Sequence, residues 1–230
     1  MSITFDFLAV LREWPLLLKG VAWTLGLTLI ATVIGVGVGI TCAWVRSQSG
    51  RAPGWLKWLV GSYVELIRNT PFIVQLFFIF FGLPAAGVKL SPELASVIAM
   101  VMNLGAYATE IIRAGIEATP RGQVEAAMSL ALSRVQTFTR VILPPALKKV
   151  WPAMVSQIII VMLGSAVCGQ ISTPELSYAA NLIQSRNFRA FEAFLIATAL
   201  YLCLAIALRR LLNWAGPRFF FGRAGEPHHG

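Results

Sequence analysis

Charge is what this sequence has least of. Only 13% of its 230 residues are Asp, Glu, Lys or Arg, against roughly 25% in soluble domains. Histidine and cysteine are scarce too, at two and three residues. His228 and His229 stand together in the polar tail and make no ligand set, and no Cys/His group has the spacing of a metal site. Cys42, Cys168 and Cys203 lie in or beside apolar runs. An odd number there is not a disulfide framework, and they read as small packing residues. No G-x-x-x-x-G-K-[ST] stretch is present, so the chain has no phosphate loop for a nucleoside triphosphate. No paired Asp or His stands inside an apolar run, which argues against a membrane-embedded enzyme; no catalytic and no metal-binding residue is assigned.

Apolar residues are abundant, at 57%, and they are not dispersed. They form five runs, over about 16–45, 59–84, 94–116, 150–173 and 193–212. Each approaches or exceeds the length needed to cross a hydrocarbon layer ~30 Å thick. One such run is compatible with a buried core helix; five, separated by short loops, are not. The expected fold class is an all-α membrane protein with five transmembrane helices in a single domain over 1–230. Asp6, Arg12, Glu13 and Lys19 in the opening stretch do not fit a cleavable leader, so the first span is expected to stay.

Loop charge sets an orientation. The stretch before the first span is neutral, and the successive loops and tail carry net +3, zero, +4, zero and +3. Lys and Arg collect on the cytoplasmic side, so the N-terminus is expected outside and the C-terminus in the cytoplasm. A basic excess confined to alternate loops needs a membrane and no nucleic acid.

Within the spans, Gly35, Gly37 and Gly39, near Gly26, are expected to let helices pack closely. Arg51-Ala-Pro-Gly54 breaks the chain before the second span, and Pro71 interrupts it. The third loop, 119–149, is too long for a connector. Val124, Ala127, Met128, Ala131 and Leu132 recur in it at helical spacing. A second amphipathic stretch, Ser133 to Leu143, precedes Pro144-Pro145. Few of the apolar residues are bulky, which suits a tight protein groove better than an acyl surface. A solitary channel has no use for such a docking element.

Several words in the sequence carry a resemblance. Glu125-Ala126-Ala127, then Ala131, then Ile142-Leu143-Pro144 resembles the EAA loop of ABC importer permeases. Tyr63-Val-Glu-Leu-Ile-Arg-Asn-Thr-Pro71 with Gln75 is similar to the second-span signature of the polar amino acid permeases. Tyr107-Ala-Thr-Glu110-Ile-Ile-Arg113 resembles their third. Pro174-Glu175-Leu176 and Phe188-Arg189-Ala-Phe-Glu192 resemble their last external loop. The likeness runs from about Gly20 to Leu212.

The resemblance implies a type I importer permease in the inner (cytoplasmic) membrane of a bacterium. The implied partners are a cytoplasmic ATPase subunit, a second permease (identical or paralogous), a periplasmic or extracellular amino-acid-binding protein, and lipid. It implies no cofactor in this chain, with ATP and Mg held by the ATPase. Another small polar solute stays open as the cargo. Two departures stand out. The family's loop Gly is Ala131 here, which suits a continuous helix. Where relatives carry a Lys-Asp or Lys-Asn pair before Ser165, this chain has Leu163-Gly164. That points to a less charged substrate, or to the half of a heterodimer that binds none.

Pathway candidates follow from chemistry. Glu65 with Arg68, and Glu110 with Arg113, share helix faces at three-residue spacing and can neutralise one another. Ionisable groups within spans are functional candidates, so Glu110 is kept, with Tyr107 beside it. Asn69, Thr70 and Gln75 flank Pro71 in a broken helix, the kind of place where transporters bind solutes. Thr24 and Thr28 on the first span, and Ser165 and Gln170 on the fourth, can grip a zwitterion without a buried charge.

Overall fold

A computed structural model describes residues 5–47 and 52–220. Arg51, His228 and His229 lie outside them. The described residues form helices and no strand: α1 (Phe7–Leu11), α2 (Trp14–Arg46), α3 (Gly54–Arg68), α4 (Phe72–Ala85), α5 (Pro92–Glu117), α6 (Arg121–Ser129), α7 (Arg134–Ile171), α8 (Leu176–Asn187) and α9 (Ala190–Arg218). Helices α2, α5, α7 and α9 are each long and apolar enough to cross a membrane. The pair α3 and α4, taken as one broken span, is the fifth.

Helix α5 is the centre. Ser91 caps it by accepting from Leu94 N–H at 3.2 Å, with Pro92 and Glu93 in the first turn. Its buried Ala95, Ala99, Met100, Leu104, Ala108 and Ile112 run its full length. Helix α2 lies alongside through a seam of small residues. Gly35 meets Leu104, and Gly39 sits so close to Ala108 that a Cβ there would be 2.5 Å from the Ala108 Cβ. In lipid, where apolar burial gives no drive, such close backbone contact is what holds helices. Of the four glycines expected to do this, only two do; Gly26 and Gly37 face open space. Nearer its start, α2 packs on α8 through Gly20, where a Cβ would lie 2.8 Å from the Leu176 Cα.

The second span is not a rod with a kink. Between Arg68 and Phe72 the chain turns through 111°. Pro71 has no N–H and the residue before it is pushed out of the helical region, so carbonyls in the last turn of α3 lose their partners. Side chains replace them. Thr70 donates to the Leu66 carbonyl at 2.8 Å, and Gln75 to those of Ile67 and Thr70 at 2.7 and 3.0 Å, while the Asn69 amide adds a second bond, at 2.8 Å, to a Glu65 carbonyl that keeps its backbone partner.

The long third loop differs from its expected form in two ways. It is not a structured insert ahead of a span starting near 150: α7 begins at Arg134 and runs unbroken through Pro144-Pro145. A capping box starts it, with Ser133 and Gln136 exchanging bonds. A wide turn over Thr137–Ile142 precedes the prolines, which cannot supply the normal i→i−4 bonds. Nor does the loop stay helical through Ala131. Ala131 has φ 54°, and Leu132 N–H reaches back to the Ala127 carbonyl at 3.2 Å, a Schellman stop. Glycine fits this backbone without the left-handed penalty of about 1 kcal/mol or more that alanine carries. Ala131→Gly is therefore expected to raise stability by roughly 0.5–1 kcal/mol, read as an upward shift of the thermal midpoint in detergent.

The far end of the bundle is tied by Glu175, fully buried at the start of α8. It accepts from Ser177 N–H at 3.0 Å, Tyr178 N–H at 2.7 Å and the Tyr201 hydroxyl of α9 at 2.5 Å. Burial pushes its carboxyl above the usual 4.5, with the hydrogen bonds pulling the other way. The folded chain thus keeps this proton where the unfolded chain loses it. Its contribution to stability is full below about 4.5 and declines as pH rises through the raised value. Glu175→Gln, with no proton to lose, is expected to flatten the thermal-midpoint profile between about pH 4.5 and the raised value.

Candidate coupling surface and translocation site

Helix α6 rests on the end of the bundle formed by the start of α7 and the end of α5. Ala127 is 3% exposed and Ile142 2%; with Phe138 and half-buried Val124 they make the apolar seat that fixes α6. The opposite side of α6 is free. Glu125, Ala126, Met128 and Leu130 are exposed, as are Ala131 and Pro144. Met128 and Leu130, at 64% and 75% exposure, are large apolar groups on a polar surface. Glu125 has no ion-pair partner among the described residues. The six loop residues picked from sequence thus divide into two that hold the helix and four that face outward.

At the same end, α2, α3 and α5 meet at Glu110. Arg46 contacts it at 2.5 Å, Arg113 at 2.8 Å and Arg68 at 3.9 Å; Arg113 also pairs with Glu117. The Arg68 guanidinium lies 5.6 Å above the Tyr107 ring and its side chain is 42% exposed. The expected Glu65–Arg68 pair is not formed: Glu65 points to the surface and Arg68 reaches across to α5. Three arginines around Glu110 and Glu117 leave net positive charge beside the α3/α4 break.

The break and this cluster are contiguous. Gln75 is 9% exposed, and its carbonyl accepts from Asn103 on α5 at 3.2 Å. Asn69, Thr70, Gln75, Tyr107 and Glu110 are therefore brought to one region. The other pathway candidates are elsewhere. Thr28 donates to the Thr24 carbonyl at 2.7 Å, and the Thr24 hydroxyl accepts from Leu176 N–H at 3.3 Å. Ser165, fully buried, donates to the Met162 carbonyl at 2.7 Å. Gln170 is exposed near the α8 end. Asn103 and Arg46 also belong to this region and are not among the residues expected from sequence. Asn103 was findable as the lone amide in the apolar run of α5; Arg46 had no such signal.

The family model for the binding-protein-dependent transport system inner membrane component matches residues 35–221. The chain belongs to this family. Among its relatives, the L-cystine transport system permease protein TcyB of Bacillus subtilis is 38% identical over 174 residues, covering 76% of this chain and 73% of the relative. The glutamine transport system permease protein GlnP of Escherichia coli K12 is 33% identical over 212 residues, covering 91% and 95%. A solved structure, the crystal structure of an amino acid ABC transporter with histidines, superposes with a TM-score of 0.82 at 36% identity over 92% of this permease and 98% of that chain. The permease is accordingly a multi-pass protein of the inner membrane, one subunit of a transport system that also has ATPase and solute-binding components.

Proposed function

We propose that this permease is the membrane-spanning subunit of an ATP-driven importer for polar amino acids. The observation that carries the reading is the outward side of α6: a carboxylate and two large apolar groups displayed on a short helix that the bundle holds by its other side. A protein partner covers such a patch. Glu125, Ala126, Met128 and Leu130 seat in the ATPase subunit, which holds ATP and Mg, and the α6 end is cytoplasmic. A second permease, identical or paralogous, flanks the pathway, and a binding protein delivers the solute at the α8 end.

The solute site lies at the α3/α4 break. Arg68 is the least committed of the three arginines and offers a guanidinium to a carboxylate, with Asn69, Thr70 and Asn103 as neighbouring hydroxyl and amide groups. Gln75 holds the break open by satisfying its carbonyls. On α7, half-exposed Leu163 and Gly164 present no polar group, which favours a weakly charged side chain on the cargo.

The test is reconstitution of the permease with its ATPase and binding protein in vesicles, followed by uptake of labelled amino acids. ATP-dependent accumulation of one or a few of them is expected. Flux without ATP, or failure of the ATPase to bind, overturns the reading.

A further inference from the structure

Five arginines are neutralised by a carboxylate among the described residues. Arg46, Arg68, Arg113, Arg186 and Arg189 each pair with a glutamate. Three exposed arginines on the last helix, Arg209, Arg210 and Arg218, have no acidic partner among the described residues, and two of them share a ridge with exposed apolar residues. Their placement is regular. Leu202, Ile206, Arg210, Trp214 and Arg218 follow at four-residue steps, so neighbours lie roughly 6 Å apart along one ridge, a stripe that winds gradually around α9. The stripe faces away from the bundle: Leu202 is 60% exposed, Ile206 45% and Trp214 54%. Buried Ala193 and Ala197 and half-buried Leu204, Leu208 and Leu212 take the inner side.

The stripe changes character at one level. Its first two members are aliphatic; the next three are cation, indole, cation. The Arg218 guanidinium lies 5.3 Å from the Trp214 ring centre. This level is at the α6 end of the bundle, because the Trp151 indole of α7 donates to the Leu212 carbonyl at 3.2 Å. Tryptophan settles where hydrocarbon meets headgroup, and an arginine one turn inside that level extends its guanidinium outward along the helix. An anion beside Trp214 lies within side-chain reach of Arg210, one turn earlier on the helix, and of Arg218, whose guanidinium already sits by the indole.

We propose that Arg210, Trp214 and Arg218 form a binding site for the phosphate of an anionic phospholipid, with its acyl chains along Leu202 and Ile206. The continuity of the charged part with exposed aliphatic residues on a spanning helix selects a lipid over a soluble partner. The site rests on the membrane-spanning position of α9 and is independent of what solute the permease carries.

The test uses the assembled transporter in phosphatidylcholine vesicles containing either brominated phosphatidylglycerol or brominated phosphatidylcholine. Bromine quenches nearby indoles, and the Trp214 share of the signal is the part that Trp214→Phe removes. Wild type is expected to show that share quenched in preference by phosphatidylglycerol, by roughly tenfold in apparent affinity. The double variant Arg210→Gln/Arg218→Gln loses the preference, and Arg210→Lys/Arg218→Lys, which keeps the charge and tests for misfolding, retains most of it. Equal quenching by the two lipids in wild type, or a preference that survives in the glutamine variant, overturns the proposal. Abolition of the preference by added inorganic phosphate makes the stripe a free-anion site and overturns it as well. So does shielding of Trp214 from both lipids when the ATPase is bound.

Discussion

Glu125→Ala is expected to abolish ATP-driven uptake while leaving the permease folded and inserted. The carboxylate is exposed and has no ion-pair partner within the described chain, so its removal leaves nothing unsatisfied in the isolated subunit. Its role lies in the assembled machine. A charge at a protein interface loses water on docking, and truncating one member of a buried charged pair costs about 2–5 kcal/mol. At 1.4 kcal/mol per tenfold, that is a weakening of ATPase binding by at least about thirtyfold. Co-purification of the ATPase and its stimulated turnover read the loss, and the thermal midpoint of the permease alone supplies the control. Ala127→Asp is the complementary change. It buries a charge under α6 at a 3% exposed position, so there both the midpoint and the coupling fall. Uptake that survives Glu125→Ala removes the main support for α6 as the coupling element.

Much of this architecture was legible because lipid imposes one-dimensional rules. Five apolar runs mark the spans, since a backbone in hydrocarbon must satisfy itself within a helix. The words around Glu125, Pro71 and Glu110 fell at positions that the structure places at one end of the bundle. The misreadings share a cause: the sequence shows which groups can bond, not which partner is nearer. Thr24 and Thr28 were legible as hydroxyls within a span, but not their partners: one hydroxyl bonds back to its own helix and the other accepts from the first turn of α8. Arg68 looked neutralised by Glu65 at three-residue spacing, yet its chain leans onto Tyr107 of another helix. Pro144-Pro145 lies inside α7, where a wide turn absorbs it. At Ala131, helix propensity favoured continuation, and the stop is set by tertiary seating of α6 on Phe138 and Ile142. Glu175 was seen as part of a loop word, with nothing in one dimension to show its burial.

The α2–α5 seam gives the second large effect, and it separates close packing from glycine content as such. At Gly39 even a methyl group meets the Ala108 Cβ at 2.5 Å and the Ala108 carbonyl carbon at 3.1 Å. Neither neighbour is the far end of a flexible side chain, so the helices themselves must part. Gly39→Ala is expected to cost about 1–3 kcal/mol, the usual range for overpacking, and Gly39→Leu to prevent a stable fold. Two further substitutions test the cause. Gly37 lies on the same helix in open space, so Gly37→Ala is expected to be neutral or slightly stabilising, because alanine is the better helix former by up to ~1 kcal/mol. The double change Gly39→Ala/Ala108→Gly moves the methyl group from one helix to the other and is expected to recover most of the loss. Thermal unfolding in detergent reads all four. The separation also reaches function: Arg46, one further turn and more along α2, holds Glu110 of α5 at 2.5 Å. Parting the seam draws that arginine away and loosens the ends of α2, α3 and α5 beside the α3/α4 break. Gly39→Ala is therefore expected to lower uptake even below its unfolding temperature, whereas Gly37→Ala leaves uptake unchanged.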